Sequence, residues 1–378
     1  MDFSLTDEQQ MVRDSVERFV EKDYQFEQRL KILDRPEGYS KEHWNSFGEL
    51  GWLGLLLPED VGGFGGTGVE TMLVMESFGR GMVLEPYVPT VVLGGKALAL
   101  GGSSAQQEAL IPGLIEGDLQ LAFGFAEQGG RYDLARVATR AEKSGNGYAL
   151  SGTKSVVLNA PNADKLIVSA RTGGGDGDAE GISLFLIDAG AKGVRVKPYR
   201  LLNGTVGGEV SLDGVSVGSD ALLGEEGNAL PLVQRVVDYA TAAVCSDAYG
   251  AMDAVFRRTA DYVKTRKQFG VPIGSFQVIQ HALVDMFVEV EQARSMSYMV
   301  SMKVDEEDAD ERMRAVSAAK AYLGKASRFV GQQAIQLHGG IGMTDELDVG
   351  HYFRRLTMFD NLFGNRDHHV ERFASLTQ

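Results

Sequence analysis

Two segments of the chain have residue types that suit a phosphate-bearing ligand. The run RKQFG at 266–270 places Arg266 just after a helical stretch, and a guanidinium can hold a pyrophosphate through parallel hydrogen bonds. The run QLHGG at 336–340 ends a helical stretch on two glycines, which permit close approach of a ligand to the backbone. Taken alone, each segment is better explained as a surface arginine or a glycine helix stop.

A third segment, GFGGTG at 63–68, matches the G-x-G-x-x-G pattern of dinucleotide-binding loops. Glu85 follows at about the spacing of a ribose-binding acid. However, the run PEDV at 58–61 separates these glycines from the apolar stretch 53–57, and no further βαβ pattern follows. We therefore interpret the segment as a glycine-rich turn between helices.

The charge of the chain limits its partners. Among 378 residues, 37 Lys and Arg stand against 52 Asp and Glu, for a formal net charge of -15. This excess of acid argues against a nucleic-acid partner, because binding to phosphate backbones rests on neutralising cations. An anionic ligand would need a local cationic site.

The cysteine count and the N-terminus indicate a cytoplasmic protein. The single Cys245 excludes an internal disulfide and a cysteine-based metal cluster, and it lies in an apolar helical stretch that predicts burial. The first ten residues lack the pattern of a signal peptide, and no apolar run approaches the ~18 residues of a membrane span. The histidines at 351, 368 and 369 share one segment and are not predicted to bind a metal.

Periodicity predicts long helices in the last third of the chain, which has no proline after Pro272. Apolar residues recur there at spacings of three or four between Leu283 and Ala293, and again across 313–337. The acidic run 305–311 between them is interpreted as a solvated turn.

The middle of the chain has the pattern of β-structure. Alternation from Leu119 to Phe125 predicts a half-buried strand, and the turn GNG at 145–147 between apolar alternations predicts a hairpin. Short apolar runs separated by Gly- and Asp-rich turns continue this β segment for roughly a hundred residues, at 166–170, 182–187, 194–196 and 210–217.

The order of elements is therefore helices, then strands, then long helices. The first part is helical, with Thr6 as the expected cap of its first helix. We predict an α+β fold with an N-terminal α domain at 1–117, a central β domain at 118–228 and a C-terminal helical bundle at 229–378.

Taken together, PEDVGG at 58–63, RKQFG at 266–270 and QLHGGIGM at 336–343 resemble motifs of the acyl-CoA dehydrogenase family. The resemblance covers essentially the whole chain in the same α, β, α order. It implies a central β-barrel-like domain between an N-terminal helical domain and a C-terminal four-helix bundle, a tetramer, and FAD near a dimer interface. It also implies an acyl-CoA substrate and an acceptor similar to electron-transfer flavoprotein.

The resemblance assigns roles to individual residues. In the family the equivalent of Arg266 reaches the FAD of the neighbouring subunit. The match implies that Gln277 contacts the adenosine side and that Phe269 packs there. The turn at the end of the helix contributes the remaining cofactor-binding candidates, which are Gln336, Leu337, Gly339 and Gly340.

The base that removes the substrate α-proton in the family, before hydride passes to flavin N5, is missing. Its usual Glu precedes a glycine, and here Phe363 precedes Gly364. Some members place the Glu on the first long C-terminal helix instead, at the position of Ala240, followed by an Arg where this chain has Thr241. Neither Phe363 nor Ala240 can accept a proton, so no catalytic residue is assigned.

The segments that surround the flavin ring in the family also differ. The family pattern T-E-P-x-A-G-S-D corresponds to AEQGGRYD at 126–133, and W-I-T/S-N corresponds to VVLN at 156–159. These changes remove hydroxyl partners and the aromatic against the ring. The family's E-G-T-x-Q reads FGNRD at 363–367.

The ring-side and base positions are changed, whereas the positions that reach a neighbour's FAD are retained. This pattern favours a non-catalytic subunit that completes the FAD site of a homologous catalytic subunit. The chain resembles the small subunits of two-gene enzymes, such as the pimeloyl-CoA dehydrogenase small subunit and non-catalytic subunits of steroid side-chain enzymes. That resemblance implies a bulky or dicarboxylic acyl group.

Two alternatives remain open. A self-sufficient homotetramer would need another carboxylate, for which Asp238 and Asp360 are the nearest candidates. Alternatively, the chain could be a flavin-free scaffold, although a scaffold has no need for Arg266, Gln277 and the glycine turn.

Overall fold

The computed structural model describes residues 4–376, which form two compact units. We call the first the helical unit; it comprises residues 4–31, 67–83 and 241–376. The second, the β-containing unit, comprises residues 32–66 and 84–240. Each unit consists of separate segments of the chain, so this division does not test boundaries between consecutive domains. The boundaries at 117/118 and 228/229 stay predictions.

The N-terminal third is helical, as predicted. Thr6 caps the first helix in a capping box with Gln9, which satisfies otherwise unpaired N-terminal amides. A π-helical segment, Val88–Gly95, runs directly into the fifth helix. The helices are α1 (Asp7–Asp23), α2 (Phe26–Leu33), α3 (Lys41–Glu49), α4 (Gly68–Gly81), α5 (Lys96–Gly101) and α6 (Ser104–Glu116).

One sheet dominates the β-containing unit. Its strands are β1 (Leu121–Gly124), β2 (Arg140–Ser144), β3 (Gly147–Leu158), β4 (Lys165–Arg171), β5 (Ile182–Asp188), β6 (Val194–Arg200), β7 (Val206–Gly218) and β8 (Leu222–Leu223). They are ordered β6-β7-β3-β2-β4-β5-β8, and β1 adds in parallel to β4. The predicted hairpin is confirmed, because β2 and β3 pair antiparallel with Ser144 opposite Gly147.

The first strand differs from its prediction. All four residues of β1 are buried, whereas the alternating pattern predicted a half-buried strand. The physical reason is that the π-helical segment covers the strand: Thr90 Oγ1 donates to Leu121 O at 3.2 Å, and a side chain at Gly94 would collide with Leu121. Both faces of β1 therefore lie inside the unit.

Long helices form the C-terminal part, as predicted. They are α7 (Leu230–Thr265), α8 (Gln277–Lys303), α9 (Ala309–His338), α10 (Asp348–Asn361) and α11 (Arg366–Ser375), and a small hairpin of β9 (Lys267–Gln268) and β10 (Val271–Pro272) follows α7. The acidic run 305–311 is only partly a turn, because Asp308 caps α9 and accepts hydrogen bonds from Asp310 N and Glu311 N. In the described residues, no helix combines the length and apolar character that crossing a membrane requires.

Two glycines allow α4 and α7 to touch backbone to backbone. A Cβ at Gly79 would lie 2.0 Å from Asp247 O, and a Cβ at Gly250 would lie 1.9 Å from Glu76 O. Arg355 of α10 stabilises the same region: its Nε donates to the Asp247 carboxylate at 2.8 Å, and its Nη1 donates to Val83 O at 2.9 Å.

Gly79→Ala and Gly250→Ala should each lower the free energy of unfolding by about 3 kcal/mol, because the added methyl group forces the two helices apart. The matched control is Gly190→Ala, since nothing lies within 4 Å of a Cβ at that position. Urea unfolding of the three variants measures the difference. Equal stability of all three would contradict the close helix contact.

Candidate functional site

Arg266 stands exposed on the helical unit, immediately after α7. The hairpin of β9 and β10 fixes its backbone, because Ile273 N donates to Arg266 O at 2.8 Å. Within residues 4–376 its guanidinium forms no ion pair and no side-chain hydrogen bond. Its charge is therefore available to an anion.

Phe269 and Gln277 lie close to this hairpin. Phe269 is at the turn with a φ of 55°, and 91% of its side chain is exposed. Its ring meets the ring of Phe276 edge-on at 6.1 Å, and Gln277 begins α8 in the next position. The structure thus brings Arg266, Phe269 and Gln277 onto one exposed surface of the helical unit.

The candidates at the end of α9 form a second exposed group. The helix ends at His338, and Gly339 follows with a φ of 67°. Gln336, Gly339 and Gly340 are exposed, and nothing lies within 4 Å of a Cβ at either glycine. Leu337 differs because it is buried, so its side chain is not presented to a ligand.

A ring stack that sequence reasoning missed connects these two groups. Tyr262 stacks on His338 with ring centroids 4.3 Å apart, and its hydroxyl donates to His338 O at 3.4 Å. Tyr262 O also accepts a hydrogen bond from Arg266 N at 2.8 Å. The sequence does place Tyr262 one helical turn before Arg266. It gives no indication of the stacking partner, because His338 lies 76 residues further along the chain. The stack sets the spacing between the arginine and the glycine turn.

In the β-containing unit, a buried ion pair joins Glu127, in the first of the two segments that correspond to the flavin-ring side, to Lys154, which precedes the second segment. Lys154 Nζ lies 2.5 Å from Glu127 Oε1 and 3.0 Å from Ser169 Oγ. The Glu127 carboxylate also accepts from Ala138 N at 2.7 Å and Thr139 N at 3.1 Å. Burial lowers the pKa of Lys154 to about 8 although Glu127 opposes this shift. Burial disfavours the Glu127 anion too, but Lys154 and the hydrogen bonds outweigh it and lower the pKa of Glu127.

Asn159 is likewise committed to internal bonds. Its Nδ2 donates to Gln120 Oε1 at 2.9 Å, and its Oδ1 accepts from Asn162 Nδ2 at 2.7 Å. Gln120 Nε2 continues the chain to Tyr39 Oη at 2.7 Å. The retained asparagine therefore holds the loop after β3 in place.

The side chains near Glu127 and Asn159 differ from the family pattern in polarity and size. Val156 is half exposed and apolar, and Leu158 supplies no hydroxyl. Arg131 stands where the family pattern has glycine and adopts a φ of 50°, a left-handed conformation that costs a non-glycine residue energy. These segments therefore lack the hydroxyl and aromatic side chains that the resemblance implies around a flavin ring.

The loop between α10 and α11, which contains the predicted base position Phe363, is held by several buried polar contacts. Lys320 Nζ donates to Gly364 O at 2.7 Å and to Asp360 O at 3.1 Å, and His369 Nε2 bonds Phe363 O at 3.0 Å. Phe363 has a φ of 56° and Gly364 a φ of 116°. Burial lowers the pKa of Lys320 to about 8, and burial together with the Lys320 charge lowers the pKa of His369 to about 2. A phenylalanine thus sits in a loop fixed by two buried polar side chains.

Among the other candidate base positions, Asp360 alone has a partly exposed carboxylate. Ala240 is fully buried on α7, and Asp238 is fully buried two residues earlier, which turns it to another side of the helix. Asp360 Oδ1 lies 3.4 Å from Arg366 N, at the start of α11.

The glycine-rich segment 63–68 uses its amides internally. Gly65 N donates to Leu57 O at 2.8 Å and Gly66 N donates to Leu55 O at 2.7 Å, so they cannot cradle a phosphate. Glu85 is buried, and its Oε1 accepts from Ser40 N at 3.1 Å. The interpretation as a turn is confirmed.

No group of three or more histidine, cysteine, aspartate or glutamate side chains in residues 4–376 could hold a metal ion. His351 is buried beside Arg29, with Nδ1 to Nη1 at 2.9 Å. Burial and the neighbouring Arg29 charge lower the pKa of His351 to about 4. Cys245 is buried as predicted, and burial raises the pKa of its thiol to about 12.

These shifts predict that acid destabilises the protein. An unfolded histidine has a pKa of about 6.5, so His351 and His369 stabilise the folded state fully above pH 6.5 and lose this contribution as the pH falls toward their folded values. At pH 5 each should cost up to about 2 kcal/mol. In His369→Gln the loss of unfolding free energy between pH 7.5 and pH 5 should shrink by about that amount, whereas the exposed control His281→Gln should retain the full loss. If both variants lost the same unfolding free energy between pH 7.5 and pH 5, the lowered pKa of His369 would be contradicted.

The chain matches three family models in succession. The N-terminal domain of acyl-CoA dehydrogenases matches residues 6–118, the middle domain matches 122–215, and the C-terminal domain matches 230–375. Together these models cover most of the chain.

Individual proteins agree with the models. The protein named "Probable acyl-CoA dehydrogenase YngJ" of Bacillus subtilis is 30% identical over 359 residues, which cover 94% of this chain and 93% of the relative. The structure of butyryl-CoA dehydrogenase from Megasphaera elsdenii superposes with a TM-score of 0.90 at 27% identity, covering 100% of both chains. A chain of the ChsE4-ChsE5 complex from Mycobacterium tuberculosis superposes with a TM-score of 0.89 at 26% identity, covering 99% of this chain and 98% of that chain. The fold, the three matched domains and these relatives show that the chain belongs to the acyl-CoA dehydrogenase family of FAD-dependent oxidoreductases.

Proposed function

We propose that this chain is the non-catalytic subunit of a heteromeric acyl-CoA dehydrogenase, in which it completes the FAD site of a homologous catalytic subunit. The observation that carries the proposal is Phe363. It occupies the family's base position in a loop that Lys320 and His369 still support, yet it cannot accept a proton.

The helical unit fits the phosphate-bearing part of FAD. The Arg266 guanidinium has no ion-pair partner in residues 4–376, and it is the kind of forked donor that binds a pyrophosphate. Gly339 and Gly340 leave open space beside the backbone, which suits a dinucleotide that packs against the main chain. The exposed Phe269 and Gln277 supply an apolar ring and an amide on the same surface as Arg266.

The β-containing unit fits the isoalloxazine ring poorly. Glu127 and Asn159 are bonded internally, Val156 replaces the aromatic side chain, and Leu158 lacks a hydroxyl. FAD supplies the electron-accepting chemistry of the family when bound. This chain therefore contributes to binding and positioning of the cofactor, and the partner contributes the proton acceptor.

The division of roles also bears on the partner and the substrate. A homologous subunit with the Glu before the glycine and the Trp-Ile-Thr segment would complement what this chain lacks. The ChsE4-ChsE5 complex from Mycobacterium tuberculosis contains a chain of this fold. We extend the proposal to a bulky or dicarboxylic acyl-CoA substrate and to electron transfer to an acceptor similar to electron-transfer flavoprotein.

The purified chain alone should contain well under one FAD per subunit and should not oxidise acyl-CoA thioesters, because its ring-side contacts and base are absent. Flavin absorbance per subunit and dye-linked turnover measure both properties. Full FAD occupancy together with turnover would instead support a self-sufficient enzyme that uses another carboxylate.

In the complex co-expressed with its homologous partner, Arg266→Ala should lower FAD retention at least about tenfold, because a charged hydrogen bond to a phosphate is lost. Lys267→Ala is the matched control, since Lys267 is a neighbouring exposed cation on the same hairpin. Arg266→Lys should restore part of the retention. Unchanged flavin content and turnover in Arg266→Ala would favour the flavin-free scaffold.

A further inference from the structure

His338 is the last residue of α9, directly before Gly339, and its side chain has no role in the proposed function. The residue is only 6% exposed, so its ring lies almost wholly inside the helical unit. A buried polar side chain normally has its polar atoms bonded to the protein or to water. The two ring nitrogens of His338 differ in this respect.

One ring nitrogen is fixed by the backbone. Nδ1 lies 2.8 Å from Ala334 O, and because a carbonyl oxygen only accepts, Nδ1 carries the proton and donates. Burial lowers the pKa of His338 below its usual value, although the bond to Ala334 and the charge of Asp348 oppose this shift. The ring is therefore neutral at pH 7, and in this tautomer the other nitrogen, Nε2, has a lone pair that can only accept.

Nε2 has no hydrogen-bond partner in residues 4–376. It nevertheless stays in contact with solvent, unlike the hydroxyl of Ser77, which is sealed inside the unit without a partner. A molecule bound at the end of α9 can therefore reach Nε2 and donate to it.

The groups packed around the ring leave Nε2 available. Tyr262 of α7 covers one face of the ring, and its hydroxyl donates to the backbone oxygen of His338. Asp348 of α10 acts on the ring through its charge, but its carboxylate is held by Arg258 Nε of α7 at 2.7 Å. The turn itself, residues 339–343, contains no titratable side chain. It lies against the histidine, because a Cβ at Gly342 would be 3.0 Å from His338 Cβ.

The position and the chemistry of Nε2 limit what it binds. It belongs to the residue before Gly339 and Gly340, beside which the proposed function places a dinucleotide. The oxygens of a pyrophosphate are deprotonated at neutral pH and cannot donate to a lone pair, whereas a sugar hydroxyl can. Resting on the proposed function, we propose that His338 Nε2 accepts a hydrogen bond from a sugar hydroxyl of FAD. His338 is then a further cofactor-binding residue of this chain.

FAD titration of the complex with the homologous partner, after removal of its flavin, tests the proposal. His338→Phe keeps a ring against Tyr262 but removes the acceptor, so the affinity for FAD should fall about fivefold. His338→Gln loses the ring but keeps an acceptor near the position of Nε2, so it should bind FAD more tightly than His338→Phe. A histidine that only stabilised the turn would give the opposite order, because phenylalanine preserves the stack. That order, or unchanged affinity in His338→Phe, overturns the proposal.

The pH dependence of FAD affinity gives a second readout. Protonation of Nε2 removes its lone pair, so the affinity should be full above pH 6.5 and should fall as the pH drops through the folded pKa of His338, which lies below 6.5. In His338→Gln this fall should be smaller, because an amide does not titrate there. An equal fall in both proteins, or a rise in the unmodified one, overturns the proposal.

Two further titrations separate this inference from the proposed function and identify the sugar. If Arg266→Ala lowers FAD affinity and His338→Phe does not, only the role of His338 fails. If neither variant lowers it, the proposed function fails as well. ADP contains the ribose but not the ribityl chain of FAD. Weakening of both ligands by His338→Phe therefore assigns the hydroxyl to the ribose, and weakening of FAD alone assigns it to the ribityl chain.

Discussion

The β-containing unit depends on the buried ion pair between Lys154 and Glu127. Lys154 is wholly buried, and a buried ammonium without a counter-ion is strongly unfavourable. Glu127 supplies that counter-ion and also takes two backbone amides from the segment that precedes β2. Glu127 is the glutamate of the T-E-P pattern and survives although its neighbours differ. The contacts of Glu127 explain why it is present: they stabilise the fold, and they do not depend on the side chains at the flavin-ring positions.

Around Phe363, too, the residues that stabilise the backbone are different from the residue at the predicted base position. Lys320 and His369 hold the loop through carbonyl oxygens, and carbonyl contacts do not depend on which side chain residue 363 carries. The helix end at Gly339 is fixed in a comparable way through the stack of Tyr262 on His338. In each region the backbone is set by groups that never need to touch a substrate. Side chains at the reactive positions can therefore change while the family fold remains.

Local signals in the sequence predicted much of the fold. The capping box at Thr6, the hairpin at 145–147 and the proline-free helices were recognisable because each depends on residues close together in the chain. The complete burial of β1 was not, because its cover comes from the π-helical segment some thirty residues earlier. The pairs Lys154 with Glu127 and Tyr262 with His338 were missed for the same reason. Motif comparison located the exposed candidates, but it could not identify the buried groups that position them.

Phe363 has a further consequence for how this protein can evolve. A phenylalanine codon and a glutamate codon differ at every position, so no single nucleotide substitution restores the carboxylate. The intermediate codons encode either a stop or another side chain, and the left-handed backbone conformation at this position tolerates few residues. If a partner subunit supplies the carboxylate, as proposed above, position 363 does not readily return to glutamate, and the genes of the two subunits depend on each other.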